Sequence, residues 1–402
     1  MDPPAENPAE EDSGWEEEYT MEDDESGDEE DSEDEQDSGD EETGIKILYP
    51  PDASVNVDEI SKFAQENKLK CVNLPHCMNK KTGNVLLAGP ILQALIKTRQ
   101  DQLQKLDLSG MHWVGSHMMT LLLEMNPHMQ ILILASIIPH TDIKQDSLKQ
   151  WLEILNIVRA VTKHGGIRTL DLSDNYLLHP QIPTELRKEM LVALNALFRL
   201  SGVENLDLSC NSLGPGGGQE EVDKTLRDNS TLQNLNLCGN ELSDVPVMPM
   251  LKRLDMSDNP RAISDSMCGG LARLLKRRNM LQVLILAGVQ LSPAAVEMIA
   301  QWLKTTTCLR ELDLSGAVLG VATDEQVVQE NLEKILTLME PWGFLHNPDT
   351  CDKLLRPLCT KWHGAMDKLV NSIEVNTTLT SLNLAGCNLG TDGIEKLKKS
   401  LL

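Results

Sequence analysis

Leu170-Asp-Leu172-Ser-Asp-Asn175-Tyr-Leu177 is the stretch from which the rest of this 402-residue chain can be read. Three further stretches keep its register: Leu206-Asp-Leu208-Ser-Cys-Asn211-Ser-Leu213, Leu235-Asn-Leu237-Cys-Gly-Asn240-Glu-Leu242 and Leu254-Asp-Met256-Ser-Asp-Asn259. The full pattern is Leu, two residues, Leu, one residue, Leu, two residues, Asn or Cys, one residue, Leu. Weaker copies begin at Leu69, Leu103, Met129, Leu281, Leu309 and Leu379. The starts are therefore 69, 103, 129, 167, 203, 232, 251, 281, 309 and 379. Self-similarity at a spacing of tens of residues marks a stacked repeat array.

The pattern has a direct physical reading. Alternate residues of a strand point to opposite faces, so the leucines of Leu-x-Leu turn inward and the residue between them turns outward. An Asn side chain offers donors and an acceptor, so stacked copies can satisfy the backbone where the chain leaves the strand. Asn175, Asn211, Asn240 and Asn259 are expected to form an unbroken ladder, whereas Met111, Ile137, Val289 and Ala317 hold that place elsewhere. The remaining residues of a repeat are enough for a helix on the other side. Helices are wider than strands, so stacking bends the array and puts the strands on its concave side.

Residues 69–402 resemble the leucine-rich-repeat family, and within it the ribonuclease-inhibitor-like class. Ala294-Ala-Val-Glu-Met-Ile-Ala-Gln-Trp-Leu303 before Thr307-Cys-Leu309, and Asn388-Leu-Gly-Thr-Asp-Gly393-Ile, look like that class's helix and turn. The resemblance implies an α/β fold: a leucine-rich-repeat solenoid, or horseshoe, with a concave parallel β-sheet and convex helices. The expected organisation is a disordered acidic tail over 1–44, a capping segment over 45–68 and about ten repeats over 69–402. Within the capping segment, Ile45-Lys-Ile-Leu-Tyr-Pro-Pro ends the tail and Val57 to Asn67 reads as a short helix.

Two repeats depart from the rest. The one starting at Leu232 has only 19 residues before the next start, and Val245-Pro-Val-Met-Pro-Met250 cannot be a full helix because its prolines remove donors and clash. The one starting at Leu309 runs 70 residues to the next. Its extra chain, at about 323–370, carries Trp342, Phe344 and Trp362 in a sequence poor in aromatics. Trp342 and Phe344 are candidate partner contacts, because aromatic side chains dominate interface hot spots.

The outward positions are Asn73, Asp107, Ile133, Asp171, Asp207, Asn236, Asp255, Ile285, Asp313 and Asn383. This row is polar and mildly acidic, as is common in the family. Asp107, Asp171, Asp207, Asp255 and Asp313 are candidate partner-binding residues. Ile131 with Ile133, and Val283 with Ile285, interrupt the row with apolar pairs and are candidates of a second kind.

Charge is unevenly spread. Of 62 Asp and Glu, 23 fall in residues 1–44, which hold no Lys or Arg; the remaining 39 acids face 36 bases. The body is nearly neutral, which argues against direct nucleic-acid binding. The tail is too polar and too charged to fold alone. Ser13, Thr20, Ser26, Ser32 and Ser38 each precede an acid by three residues and are candidate phosphorylation sites. Trp15 and Tyr19 are the tail's aromatic positions.

Other classes of function find little support. No apolar run is long enough to cross a bilayer, and the start of the chain is unlike a secretory or transit peptide. Nine Cys without an export signal read as reduced thiols, so a cytoplasmic or nuclear location is expected. Asn229-Ser-Thr and Asn376-Thr-Thr match the glycosylation pattern, which has meaning only in a secreted chain. Gly214-Pro-Gly-Gly-Gly218 lacks the Lys-Ser/Thr of a phosphate loop, and Cys351, Cys359 and His363 lack a paired Cys motif for zinc. No cofactor and no nucleophile–base pair is indicated.

The expected function is that of a non-catalytic protein–protein interaction scaffold or adaptor, using the repeat surface and the acidic tail, with no membrane role. Two alternatives stay open. The Ran GTPase-activating proteins are similar in pairing this repeat class with an acidic region, although theirs follows the repeats. Acidic leucine-rich nuclear phosphoproteins are similar in composition, which points to a chaperone-like binder of basic proteins such as histones.

Overall fold

The structure is a computed structural model. It describes residues 45–51, 53–79, 87–112, 114–138, 145–200, 202–214, 229–242, 248–259, 280–289, 291–317 and 364–387, with a few single residues between and after them. Contacts divide the chain into residues 1–43 and 44–402, and every element named below belongs to the second unit.

The strands are β1 Ile45–Leu48, β2 Ser54–Val55, β3 Leu69–Asn73, β4 Met78–Asn79, β5 Lys105–Asp107, β6 Ile131–Ile133, β7 Thr169–Asp171, β8 Asn205–Asp207, β9 Asn234–Asn236, β10 Arg253–Asp255, β11 Val283–Ile285, β12 Glu311–Asp313 and β13 Ser381–Asn383. The helices are α1 Val57–Glu66, α2 Ala88–Lys97, α3 Ser116–Met125, α4 Gln145–His164, α5 Thr184–Leu200, α6 Pro293–Leu303 and α7 over 364–375. Eleven strands make one open sheet in the order β1-β3-β5-β6-β7-β8-β9-β10-β11-β12-β13, and β2 pairs with β4 apart from it.

Every pairing in the large sheet is parallel. From β3 to β13 the register never slips: Val72, Leu106, Leu132, Leu170, Leu206, Leu235, Leu254, Leu284, Leu312 and Leu382 lie side by side. A one-residue slip would turn this row outward, and burial forbids it. These side chains join the leucines two residues further on, and the buried faces of the helices, in one continuous aliphatic core. β1 extends the sheet by a strand that carries no Leu-x-Leu signature; it pairs with β3 and buries Ile47.

Local chemistry explains the helices. Asn56 caps α1 by accepting from Asp58 N at 3.1 Å, and Ile60 and Ala64, one turn apart, are its buried face. Ser292 caps α6 by accepting from Ala295 N at 3.2 Å, with Pro293 as first helical residue. Gly115 gives α3 no side-chain cap, and Glu153 of the next helix accepts from Ser116 N at 2.5 Å instead. α7 buries Ala365, Met366, Leu369 and Val370 in the same core, so residues 364–370, read above with the extra segment, are part of a repeat's own helix. Lys368 of α7 pairs with Glu297 of α6 at 2.8 Å.

Two polar systems close repeats, each in part of the array. Where strand leaves for helix, the four expected asparagines are fully buried and interlocked. Asn211 Oδ1 accepts from Asn175 N and Leu177 N at 3.1 and 3.2 Å, and its Nδ2 donates to Leu172 O and Ser209 O at 2.9 and 3.0 Å. Asn240 does the same for Asn211 N and Leu213 N, and Asn259 for Asn240 N and Leu242 N. Cys387 takes the asparagine's place in the last of these strands, and its Sγ donates to Leu314 O at 2.8 Å.

Where helix returns to strand, a second set of amides works. Gln100 accepts from Leu69 N, Asn126 from Leu103 N, Asn229 from Leu232 N and Asn376 from Leu379 N, all at 2.7–2.8 Å. Asn229 and Asn376, the two positions with a glycosylation pattern, also donate to Phe198 O and Leu303 O at 2.6 Å. Their side chains are structural amides.

The residue before each ladder position has positive φ in all ten repeats. It is Gly at 110, 239, 288, 316 and 386, and His76, Ser136, Asp174, Cys210 and Asp258 in the others, at φ 51–70°. From His76 to Gly316 this geometry aims the N–H group at the carbonyl of the next repeat, as in Asp174 N to Ser209 O at 2.9 Å and Cys210 N to Cys238 O at 2.9 Å. A left-handed conformation costs a non-Gly residue roughly 1–2 kcal/mol, and the hydrogen bond offsets it.

Candidate functional site

The face of the large sheet turned away from the helices carries two outward residues per strand. Its burial pattern alternates as the strand period requires: in β6, β7, β8, β9 and β11 the central residue is buried and both neighbours are half-buried. The expected row is present in order across the strands. Asp171 and Asp207 are neighbours, Asn236 separates Asp207 from Asp255, Ile133 separates Asp107 from Asp171, and Ile285 separates Asp255 from Asp313. Trp342, Phe344, Ser13, Thr20, Ser26, Ser32 and Ser38 lie outside the described residues.

Each aspartate of the row has a local task. Asp107 Oδ1 accepts from Ser109 N at 3.0 Å and Ser109 Oγ at 2.6 Å, and Asp207 holds Ser209 in the same way at 2.8 and 2.6 Å. Asp171, Asp255 and Asp313 accept from Ser173, Ser257 and Ser315 N at 2.8, 3.0 and 2.8 Å. These are Asx turns, which end the strand by mimicking a backbone turn. One carboxylate oxygen is thereby committed to the fold. Asp107 is buried by it, and only the second oxygens remain for other contacts. The repeating Asp-x-Ser spacing is the sequence signal for this role.

Asn73 breaks the rule for a simple reason. Its partner position is Pro75, which has no N–H, and Asn73 Oδ1 is buried without a hydrogen bond.

Burial, turn bonds and row neighbours, in that order, set the electrostatics. Asp171 has Ile133 on one side and Asp207 on the other. Burial, together with the charges of Asp207 and Asp107, raises its carboxyl above the usual value despite the bonds from Ser173. For Asp313 burial pushes the same way, but the bonds from Ser315 and Asn383 outweigh it and hold the carboxyl below the usual value. Asn383 Nδ2 reaches Asp313 Oδ2 at 3.0 Å, and Asn236 Nδ2 reaches Asp207 Oδ2 at 2.8 Å.

The two apolar pairs stand in this polar field without such tasks. Ile131 and Ile133 are flanked by Lys105 and Asp107 on one side and by Thr169 and Asp171 on the other. Val283 and Ile285 are flanked by Arg253 and Asp255, and by Glu311 and Asp313. Both pairs run on into an alanine, Ala135 or Ala287, where most other repeats have serine. Five strand spacings of about 4.8 Å separate β6 from β11, so the two stripes lie about 24 Å apart.

The one-position-per-repeat reading of the sequence misses the other charges. Beyond the strand ends, Asp174 and Asp258 add to the acidic side. At the strand starts stand Lys105, Arg168, Lys252, Arg253 and Arg310, with Glu204 and Glu311 among them. Arg168 is engaged by Gly202 O at 2.8 Å and lies 3.9 Å from Glu204. The face is therefore polarised along the strand direction.

Among the described residues no group of three or more His, Cys, Asp or Glu is placed to hold a metal ion, and no helix is long and apolar enough to cross a membrane. The thiols on the acidic side are damped. Burial, then nearby carboxylates, pushes Cys210 up, and burial also raises Cys238.

Comparison with known proteins agrees with the architecture at one end of the chain. Residues 375–398 match a family model described as "Leucine Rich repeat", which covers β13 and its approach. No curated protein sequence matches. Among solved structures, the tropomodulin C-terminal domain of Caenorhabditis elegans is similar over 62% of this chain and 90% of its own. The identity is 8% and the TM-score 0.20, at which the likeness carries no weight. The leucine-rich repeat is thus supported by the matched residues and by the single-register parallel sheet with its ladder.

Proposed function

We propose that this leucine-rich-repeat chain, of the ribonuclease-inhibitor-like class, is a non-catalytic scaffold that binds protein partners on the concave face of its sheet. The observation that carries the reading is the pair of matched apolar stripes, Ile131 with Ile133 and Val283 with Ile285, placed on an otherwise polar surface. Apolar side chains that serve no core are kept where they meet another molecule. A face eleven strands wide offers the area a specific complex needs.

The test is affinity capture by the full chain against the double variant Ile133→Ser with Ile285→Ser, with binding then measured on each recovered protein. Both side chains point away from the core, so the variant should melt with the parent. Partners should be lost. Retention of every partner by a folded variant would remove the concave face from the proposal.

The same variant sorts the alternatives. Acceleration of GTP hydrolysis by Ran on adding the full chain would support the regulator reading. Capture of histones that survives loss of both isoleucines and fades with salt would support a chaperone-like role for the acidic segment.

A further inference from the structure

The polarity of the face, together with its apolar stripes, restricts what kind of segment it can take; this rests on the binding reading above. The strands are only three residues long, so the strip between the two charged edges is about 10 Å wide. Its backbone N–H and C=O groups point sideways into neighbouring strands and are used there. A segment lying across the strands finds no backbone to pair with, and its own backbone groups must be satisfied internally. A helix does this and, at about 10–12 Å across, fills the strip.

Charge then fixes the composition. At the ends of the strands lie Asp171, Asp207 and Asp255, and just beyond them Asp174 and Asp258, with no Lys or Arg at those positions in any repeat. Asn236 donates to Asp207 and Ser173 to Asp171, and these two like charges stand side by side on adjacent strands and repel. A cation laid along this edge relieves that repulsion. The apolar stripes fix the spacing: about 24 Å is between four and five helical turns.

We infer that the partner segment is a basic helix laid across the strands, seating one apolar side chain on Ile131 and Ile133 and another, four to five turns away, on Val283 and Ile285, with its lysines or arginines along the aspartate edge. Its opposite side faces Lys252, Arg253 and Arg310 and therefore carries no cations.

The test uses the full chain and synthetic helical peptides of about 24 residues. One has lysines along one side and two leucines fourteen positions apart, which puts them on one face about 21 Å apart, close enough to the stripe spacing for side-chain reach to cover the rest. A second places the leucines seven apart, and a third replaces every lysine by glutamate. A photo-cross-linker beside each leucine reports the site by mass spectrometry. The first peptide should cross-link to the β6 and β11 repeats. Closing the leucine spacing should weaken it about tenfold, and the glutamate peptide should not bind. Asp174→Asn with Asp258→Asn should also weaken it about tenfold and flatten its salt dependence. Asn tolerates the left-handed backbone at both sites and its Oδ1 can still accept from Cys238 Sγ at position 258, so the variant should melt with the parent, which thermal unfolding checks.

Equal binding of the glutamate peptide, indifference to leucine spacing, or cross-links confined to residues 1–44 would overturn the inference. So would a dimer of the chain that Ile133→Ser dissociates, because the face would then belong to a second copy. If captured partners depend on Ile133 and Ile285 while the basic peptide fails, the helix inference falls and the concave binding face stands. If neither depends on them, both fall.

Discussion

The repeats of β7 to β10 and those of β6 and β11 share one backbone and differ in three side-chain positions at once. In the first group the outward residue is Asp or Asn, and it caps the turn two residues on. The ladder residue is a buried Asn with bonds in both directions. In the second group the same places hold Ile133, Ala135 and Ile137, or Ile285, Ala287 and Val289, with the third of each fully buried. Strand register and positive φ at the turn are nevertheless common to both groups. The leucine row and the parallel backbone bonds are therefore sufficient to place a strand. The polar network is a separate layer, and two repeats that lack it have outward positions released from structural duty.

Three experiments would break or sharpen this contrast. The largest effect is expected from Asn211→Ala. It strips the acceptor from two buried N–H groups and the donor from two carbonyls, each worth about 1–3 kcal/mol when left unmet. The folded state should lose about 3 kcal/mol or more in urea unfolding. A loss under about 0.5 kcal/mol would mean that the ladder decorates a fold held by leucines alone.

A smaller effect is expected from writing the missing turn into β6. Ile133→Asp with Ala135→Ser recreates Asp-x-Ser in a repeat that lacks it. The new turn bonds offset the added charge beside Asp171, and stability should change by less than about 1 kcal/mol. Partner capture should fall nevertheless. A collapse of the fold would show that Ile133 is needed by the array itself.

The smallest effect concerns two aspartates in equivalent turns, each beside an isoleucine, with Asp207 as the other neighbour of Asp171 and Asn383 as that of Asp313. The raised carboxyl of Asp171 binds its proton more tightly folded than unfolded, so its ionisation opposes folding, and stability falls as pH rises through the folded value. Asp171→Asn keeps the turn, as Asn236 and Asn383 show, and should raise the melting point at pH 7. That gain should close as pH drops below the ordinary carboxylate range. The lowered carboxyl of Asp313 contributes stability that is present at neutral pH and lost as pH falls through its folded value. Asp313→Asn should therefore have the opposite sign at pH 7. Matching signs would show that the neighbours in the row do not govern the charge.

Much of this was legible in the sequence, for a physical reason. Leucine spacing, the strand period and the ladder asparagines all depend on residues that a stacked layer requires, so they recur and can be counted. β1 was not legible as a strand, because its only contribution to the common core is Ile47, and one residue makes no period. The strand period marks the aspartates as outward and available to partners. Their turn-capping was carried by the serine two residues on, which a one-position reading passes over. The cationic side was missed for the same reason, since Lys105, Lys252, Arg253 and Arg310 stand at the starts of strands. Asn229 and Asn376 matched a modification pattern because Asn followed by a hydroxyl residue also suits a helix-to-strand turn.

Cys387 closes the ladder with a thiol, and burial raises it to about 11. Alkylating reagents attack the thiolate, which at pH 7 is then only about one molecule in ten thousand. While β13 stays docked, Cys387 is expected to label slowly with iodoacetamide. When the end strand lifts away, the side chain returns to water and to an ordinary acidity, and its labelling accelerates. The alkylation rate of this cysteine should therefore report how often β13 separates from β12.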